Sequence, residues 1–475
     1  MVKKRLAIVG NGMAAGKLLD DLTRRRAGRV LDVSVYGEEP HGCYNRILLG
    51  RVLAGGEPDE ITLKPRAWYA ERGVRFHSGV QVAQLDTVGR KVVTAAGDDH
   101  PYDVAVFATG SKPLVPPISG VEKPPAPVLP GVFVFRTVDD CLTIRRFARP
   151  LSSAVVVGGG LLGLEAAKAL CDLGLHVTVV HLAPHLMNAQ LDPAGGAMLR
   201  KAIERMGIFV RTGVSVAAVQ GGQRVEAVRL TDGEVMPADL VVLACGIVPR
   251  TEAAKASGVP VNRGVLVNDV LATQVPGVYA VGECAEHAGK VYGLVQPIWD
   301  QCAVLADVLT GANPKSRYRG SKVYARLKVM GVEVAAMGVT EPETDADEVV
   351  QIVEDRRGVY RKLIVRDGKL IGAMLVGDAD AAPGLIQLFD RGDPLPTNRL
   401  DVLATPTGCG VAAAADPEVC NCHHVRESAL VEAIRGGCTS LATLSDATRA
   451  GTGCGSCRGQ LAGLILSHAK SEVTA

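Results

Sequence analysis

The chain has 475 residues, with 52 Lys and Arg against 50 Asp and Glu, giving a net charge of +2 that is mixed along its length. That length predicts three or four domains, and the balanced charge gives no electrostatic basis for binding nucleic acid or an anionic membrane surface. Apolar runs stop near nine residues, as at 240–248, so no membrane span is expected, and twelve cysteines with eight scattered singly predict a reducing cytoplasm rather than a disulfide framework.

The first residues are basic and then apolar, in the manner of a signal peptide. The apolar run ends after four residues at Gly10, which predicts a strand over 5–9 instead. It leads into Gly10-Asn11-Gly12-Met13-Ala14-Ala15 and a helical stretch over 16–26. This is G-x-G-x-x-A between a strand and a helix, where backbone N–H groups approach a pyrophosphate and the helix dipole favours negative charge. A second strand over 31–36 ends in Gly37-Glu38-Glu39, placing a carboxylate where it would accept hydrogen bonds from a ribose diol. Strand, turn, helix and acid together predict a dinucleotide site with Gly10, Gly12, Ala14, Ala15, Glu38 and Glu39 around it.

A second fingerprint follows the strand Val155-Val156-Val157. Here Gly158-Gly159-Gly160-Leu161-Leu162-Gly163 completes G-x-G-x-x-G and opens an Ala- and Leu-rich helix. Its partner strand over 176–180 ends at His181, which is neither the acid that favours NADH nor an arginine suited to a 2′-phosphate; with no cation in Leu182-Ala183-Pro184, NADH is the expected donor. Two dinucleotide sites in one chain predict hydride passing from one cofactor to the other. Two further strands end at small-residue turns, Ala108-Thr109-Gly110 and Gly282-Glu283, where backbone can lie against a flat cofactor and the acid can face a ribityl hydroxyl.

From about residue 318 the pattern changes to short alternating strands, over 322–330, 332–338, 360–366 and 370–376, which predicts a small α+β module with an antiparallel sheet. The acidic stretch 341–348 reads as a solvated loop. A Pro- and Gly-marked linker follows over 396–415, including the Ala run 412–415. The last segment carries Cys420-x-Cys422, thirty-one residues, then Cys454-x-x-Cys457. Two close pairs converging on one site predict a metal centre. Zinc in a docking tail is one reading of it, and a Rieske-type centre requires histidine ligands that Cys454 and Cys457 lack. His423 and His424 read as surface residues and Cys438 as a packed thiol. Helical periodicity over 427–435 puts Leu430, Ile434 and Val431 inward.

These residues resemble the flavoprotein part of the large subunit of NAD(P)H-dependent nitrite reductases. The resemblance rests on Gly10-Asn11-Gly12-Met13-Ala14, Tyr44-Asn45-Arg46-Ile47-Leu48-Leu49, Ala108-Thr109-Gly110-Ser111, Phe135-Arg136-Thr137, His181-Leu182-Ala183-Pro184 and Val281-Gly282-Glu283-Cys284-Ala285-Glu286. The last sixty residues resemble the [2Fe–2S] domain related to bacterioferritin-associated ferredoxin, which implies a cluster on Cys420, Cys422, Cys454 and Cys457. The resemblance implies an α/β fold class: two Rossmann-like domains for FAD and NAD(P)H, then a small α+β domain and a small helical [2Fe–2S] domain. The implied boundaries are 1–120 with 245–317 for FAD, 121–244 for NADH or NADPH, 318–395, a linker 396–415 and 416–475.

It also implies that Gln296 and Pro297 lie by the isoalloxazine, and that Arg46 and Glu165 lie near the contact between flavin and nicotinamide. The residues stop at Ala475, short of a sirohaem and [4Fe–4S] region. The layout is therefore similar to the electron-transfer subunit of assimilatory nitrate reductase, and the terminal reductase is expected on another polypeptide, a nitrate reductase catalytic subunit in first place. A disulfide reductase would need a vicinal dithiol beside the flavin. Cys43, Cys141, Cys171, Cys245, Cys284 and Cys302 are all isolated.

Overall fold

The run Leu6-Ala7-Ile8-Val9 is almost wholly buried, as a strand must be in the middle of a covered parallel sheet. In the computed structural model, which describes residues 2–121, 129–404, 416–420, 423, 425–453, 455 and 457–468, this strand spans Lys4–Val9. The chain divides into two compact units, one of Met1–Arg46, Pro58–Lys112 and Ile247–Ser321, the other of Ile47–Glu57, Pro113–Gly246 and Lys322–Ala475.

The first unit is built on five parallel strands in the order Val278–Ala280, Val104–Phe107, Lys4–Val9, Leu31–Gly37 and Arg75–Ser78. Val9 pairs with both Tyr36 and Phe107, so three strand ends reach the same edge. Helix Met13–Arg24 packs against helix Val295–Thr310. Arg25 Nε meets Asp307 Oδ1 at 2.6 Å between their ends. An antiparallel meander, Val82–Asp86, Lys91–Thr94 and Asp99–Pro101, contributes Val82, Leu85 and Val92 to the core beside Val9, Tyr36 and Phe107.

The second unit repeats the plan. Its parallel order is Val132–Val134, Leu240–Leu243, Ser153–Val157, His176–His181 and Phe209–Thr212. Residues 47–57, expected with the first nucleotide domain, belong to this unit instead. Helix Leu49–Leu53 packs on helices Val138–Phe147 and Leu161–Asp172. The Arg145 guanidinium donates to the Val52 and Gly56 carbonyls at 3.2 and 2.9 Å, tying the segment down.

The same unit holds a five-stranded antiparallel sheet in the order Tyr324–Val329, Val332–Gly338, Lys369–Val376, Val359–Arg366 and Glu348–Glu354, with helix Ala382–Arg391 on it. The strand Glu348–Glu354 was not expected. The acidic stretch before it is an exposed loop, as expected, but differs from a bare one in its ion pairs: Glu341 Oε2 accepts from Lys362 at 2.8 Å, and Arg366 grips Glu343 and Asp347 at 2.9 and 2.7 Å. The linker also differs from a plain tether, since Arg399–Ala404 is helical; residues 405–415 lie outside the described residues. The final segment has a short hairpin, Glu418–Cys420 with Val425–Arg426, and helices Glu427–Arg435, Leu441–Thr448 and Arg458–His468. Leu430, Ile434, Leu444 and Leu461 are its buried centre, and Val431 is half-buried.

Asp192 joins two parts of this unit. Its Oδ1 caps helix Pro193–Glu204 by accepting from Gly195 N–H at 2.8 Å. Its Oδ2 accepts from the Tyr360 hydroxyl and from Lys362 Nζ, the latter at 2.8 Å, both on strand Val359–Arg366. Asp192 and Lys362 are only 4% and 5% exposed. Burial alone would raise the Asp192 pKa, but Lys362, Tyr360 and the Gly195 N–H together hold the carboxyl below its usual range. Asp192→Ala removes the helix cap and leaves the buried Lys362 ammonium only its half-exposed partner Glu341, and should cost about 3 kcal/mol, measured by chemical denaturation. The double variant Asp192→Asn with Lys362→Met keeps the cap and removes the charge, and is expected to cost less than about 1.5 kcal/mol.

Candidate functional site

The first fingerprint is shaped by a close approach. Gly10 has φ of 108°, and a Cβ there would strike the Ala108 carbonyl oxygen. Gly12 is the N-cap of helix Met13–Arg24 and makes no side-chain cap. The atom nearest the place of its missing Cβ is Arg46 Nε, at 3.9 Å. A helix N-terminus and a guanidinium therefore border one open gap, which is the chemistry of a pyrophosphate seat. Ala15 is wholly buried, and Ala14 lies so close to Gly282 that a Cβ on the glycine would come within 2.8 Å of it.

Arg46 is held from two sides. Its Nη1 donates to the Tyr44 hydroxyl at 2.8 Å and its Nη2 pairs with Glu39, which also accepts from Tyr44 at 2.6 Å. Burial works against the charge, yet Tyr44, Glu39 and Glu283 more than offset it and raise the pKa above the ordinary arginine value. The acids expected at a ribose are thus engaged with cations: Glu39 with Arg46, and Glu38 with Arg250. For Glu39 the reason is geometry that the sequence spacing did not reveal: the short strand Cys43–Tyr44 pairs with Thr62–Lys64, and Arg46 opens the 3-10 turn after it, with Tyr44 and Arg46 both reaching back to Glu39.

The other residues expected at this site also fall in the first unit. Thr109 Oγ1 donates to the Arg250 carbonyl at 2.5 Å, and Ser111 Oγ donates to Glu283 Oε2 at 2.6 Å beside Gly110. Gln296 and Pro297 lie in the first turn of helix Val295–Thr310. Gln301, which sequence reasoning missed, holds the Gly282 N–H with its carbonyl at 2.9 Å. Among the described residues, Gln296 Oε1 and Gln301 Nε2 are buried without a hydrogen-bond partner. Orphaned polar atoms of this kind fit a heterocycle with ring N–H and C=O groups.

The second fingerprint lies in the second unit. Gly158 repeats the close approach, with φ of 122° and the Ala244 carbonyl oxygen where a Cβ would sit. A Cβ on Gly163 would strike the Gly158 carbonyl oxygen, whereas nothing lies within 4 Å of one on Gly160. Leu161 and Leu162 open the helix half-buried. His181 Nδ1 accepts from the Gly159 N–H at 3.0 Å, so its Nε2–H faces Asn188 Oδ1 at 3.1 Å. Burial lowers the His181 pKa, which leaves the ring neutral at pH 7. Four residues past the fingerprint's first leucine, Glu165 Oε2 is buried without a partner, and burial pushes the carboxyl up to about 8.

The isolated thiols are structural. Each donates to a backbone carbonyl: Cys43 to Gly12, Cys141 to Leu49, Cys171 to Met206, Cys245 to Val157, Cys284 to Phe107 and Val281, and Cys302 to Ala14. Burial pushes Cys141 up to about 12 and Cys245 up to about 11, the opposite of what a thiolate nucleophile needs.

In the last segment Cys420 and Cys457 are 2% and 3% exposed. Cys422, Cys454 and His424 lie outside the described residues. His423 is not a plain surface residue, for its Nε2 lies 3.0 Å from Thr452 Oγ1. Cys438 is half-buried. Two buried sulfurs on turns joined by a side-chain bond suit a sulfur-ligated centre.

Residues 4–302 match the model of the pyridine nucleotide-disulphide oxidoreductase family. The chain belongs to that family. Membership implies FAD and NAD(P)H as cofactors, and the arrangement of the two glycine turns fits both. Residues 324–392 match the C-terminal domain of rubredoxin NAD+ reductase, and 418–466 match the BFD-like [2Fe–2S] binding domain, which implies a [2Fe–2S] cluster rather than zinc for this family member. The NAD(P)H nitrite reductase of Bacillus subtilis (strain 168) is 38% identical over 98% of the chain and 58% of the relative. The assimilatory nitrate reductase electron transfer subunit of the same organism is 34% identical over 100% and 61%. The chain thus spans about three fifths of the length of these curated relatives. Among solved structures, the ferredoxin reductase for the CYP199A2 system from Rhodopseudomonas palustris is similar with a TM-score of 0.71 at 27% identity, covering 79% of the chain and 92% of that protein. No helix among the described residues is long and apolar enough to cross a membrane.

Gly160→Ala separates packing from binding. The fold has room for the methyl, so the melting temperature should stay within about 1 °C while KM for NADH rises about tenfold or more. Gly163→Ala, by contrast, is expected to destabilise. Glu165 gives a pH signature. Its folded pKa lies above the ordinary 4.5, so between 4.5 and about 8 the native state binds a proton that the unfolded state has released, and stability falls as pH rises through that window. The melting temperature of Glu165→Gln should lack this decline.

Proposed function

We propose that the chain is the flavoprotein electron-transfer component of a nitrate- or nitrite-assimilating system, carrying electrons from NAD(P)H through FAD and the [2Fe–2S] cluster to a separate terminal reductase. The observation that carries this reading is the order of modules in one chain: a two-nucleotide reductase over 4–302 and a BFD-like cluster module over 418–466. The relative named as a nitrate reductase electron transfer subunit supports it along the whole chain. When bound, FAD accepts electrons in pairs and releases them singly, as a one-electron cluster requires.

The chain's own residues would divide the work as follows. Gly10, Gly12 and Arg46 seat the FAD pyrophosphate, with Ala14 and Ala15 packing the helix behind them. Ala108, Thr109, Gly110, Gly282, Glu283, Gln296 and Pro297 line the flavin. Gly158, Gly160 and Gly163 bring the Leu161–Leu162 helix start to the NAD(P)H pyrophosphate. Arg46 and Glu165 are the two residues assigned nearest the redox chemistry, Glu165 as a neutral hydrogen-bond donor to the nicotinamide. NADH is favoured because the residue at the ribose, His181, is an uncharged ring already committed to Gly159 and Asn188, and Leu182-Ala183-Pro184 after it supplies no cation for a 2′-phosphate. The domain division is 1–120 with 245–317, 121–244, 318–395, 396–415 and 416–475, except that residues 47–57 pack with the NAD(P)H part.

A second acceptor class follows from the likeness to a ferredoxin reductase: a small redox protein in place of a nitrate reductase catalytic subunit. Reconstitution with each class of acceptor, scored as NADH-driven turnover, separates the two readings, and one variant tests the route they share. Cys454→Ser should keep NADH-dependent flavin bleaching within about twofold and lose at least about tenfold of NADH-driven turnover when reconstituted with the terminal reductase. Equal turnover in the variant would refute the route through the cluster. A ratio of kcat/KM above ten in favour of NADPH in the same assay reverses the cofactor preference.

A further inference from the structure

Two turns lie beside Cys420 and Cys457 in the last segment, and a side-chain pair joins them. Around Cys420 the chain reverses, with His423 N–H donating to the Cys420 carbonyl at 3.3 Å. On the opposite side, Thr452 precedes Cys454 by two residues. Thr452 Oγ1 lies 2.7 Å from the Arg449 carbonyl oxygen and 3.0 Å from His423 Nε2. The hydroxyl has one proton, and a carbonyl oxygen can only accept. The proton therefore goes to Arg449, and His423 supplies the second bond as Nε2–H donating to Oγ1.

The Thr452 side of this contact is itself anchored. Helix Leu441–Thr448 ends at Arg449 with φ of 67°, a left-handed stop. Ser445 Oγ donates to the Ala450 carbonyl at 2.7 Å. Gly451, with φ of 80°, lies against Leu461 so closely that a Cβ would sit 3.1 Å from its Cδ1. Leu461 belongs to the small buried centre with Leu430, Ile434 and Leu444, and Arg458 N–H closes the second cysteine turn on the Gly455 carbonyl at 3.1 Å. A rigid turn thus holds Thr452, and Thr452 holds His423.

We infer that Thr452 and His423 form a cross-turn clamp that sets the spacing of the two cysteine turns around the cluster, with His423 as a positioning residue and not a ligand. The inference rests on the [2Fe–2S] reading of the four cysteines and goes beyond it by assigning work to two residues outside the C-x-C and C-x-x-C pairs. A clamp of this kind matters because the two turns are separated by thirty-one residues and two helices.

The test uses the full-length protein isolated anaerobically, with iron, acid-labile sulfide and flavin measured per chain and cluster loss followed as visible bleaching in excess EDTA. Thr452→Val and His423→Ala should bleach about five- to tenfold faster than wild type, the scale of one net hydrogen bond. Thr452→Ser keeps the hydroxyl and His423→Gln keeps an amide N–H at similar reach, so both should stay within about twofold of wild type. Bleaching of Thr452→Val at the wild-type rate overturns the clamp, and so does fast bleaching of Thr452→Ser. An altered spectrum of the reduced cluster in His423→Ala that His423→Gln does not restore makes His423 a ligand and also overturns it. Wild-type protein holding zinc and no sulfide would remove the cluster reading itself, an outcome that iron and sulfide content shows before any variant is compared.

Discussion

Each nucleotide turn depends on one steric fact: the last peptide of a strand lies directly against the carbonyl oxygen of a neighbouring strand's end. At Gly10 that oxygen belongs to Ala108, and at Gly158 to Ala244. There is no space for a side chain at either position. The chain must turn sharply there and start its helix at once, which leaves the first N–H groups of that helix without internal partners and aimed into open space. The anion site is thus a by-product of close packing between backbones, and the rest of each unit serves to hold those two strand ends in contact.

The two turns differ in what surrounds them. At the first, Arg46 lies within reach of Glu39, Tyr44 and Glu283 and keeps its charge despite being largely buried. At the second, Glu165 has no counter-charge and is buried as a neutral acid, and His181 is neutral for the same reason. One seat is therefore electrostatically strong and the other soft.

How much of this could be read from the residues depends on how local the chemistry is. The fingerprints are legible because strand, turn and helix follow one another within about twenty residues, and the periodicity that places Leu430 and Ile434 inward is equally local. The fates of Glu38 and Glu39 are not legible, since each is decided by a cation brought in by folding: Arg46 seven residues away from Glu39, and Arg250 212 residues away from Glu38. The strand Glu348–Glu354 hid behind acids because it is a half-exposed edge strand, and its charged flank answers to Arg399 rather than to water alone. Residues 47–57 changed sides because a five-residue helix has no pattern of its own, and its place is set by Arg145 and the surfaces it meets. His423 was underread for a similar reason, since its partner Thr452 is twenty-nine residues away.

The double duty of Asp192 bears on how such chains can be recombined. One oxygen ends a helix of the nucleotide-binding part, and the other neutralises a lysine of the appended antiparallel sheet. A graft that replaced residues 324–392 with a foreign sheet would leave this carboxylate with its cap but without its ammonium and phenol, buried and charged. The reverse exchange would leave Lys362 with Glu341 alone and the Tyr360 hydroxyl without its acceptor. The two segments therefore fit as a matched pair, and residue 192 is where a chimera's compatibility would be decided.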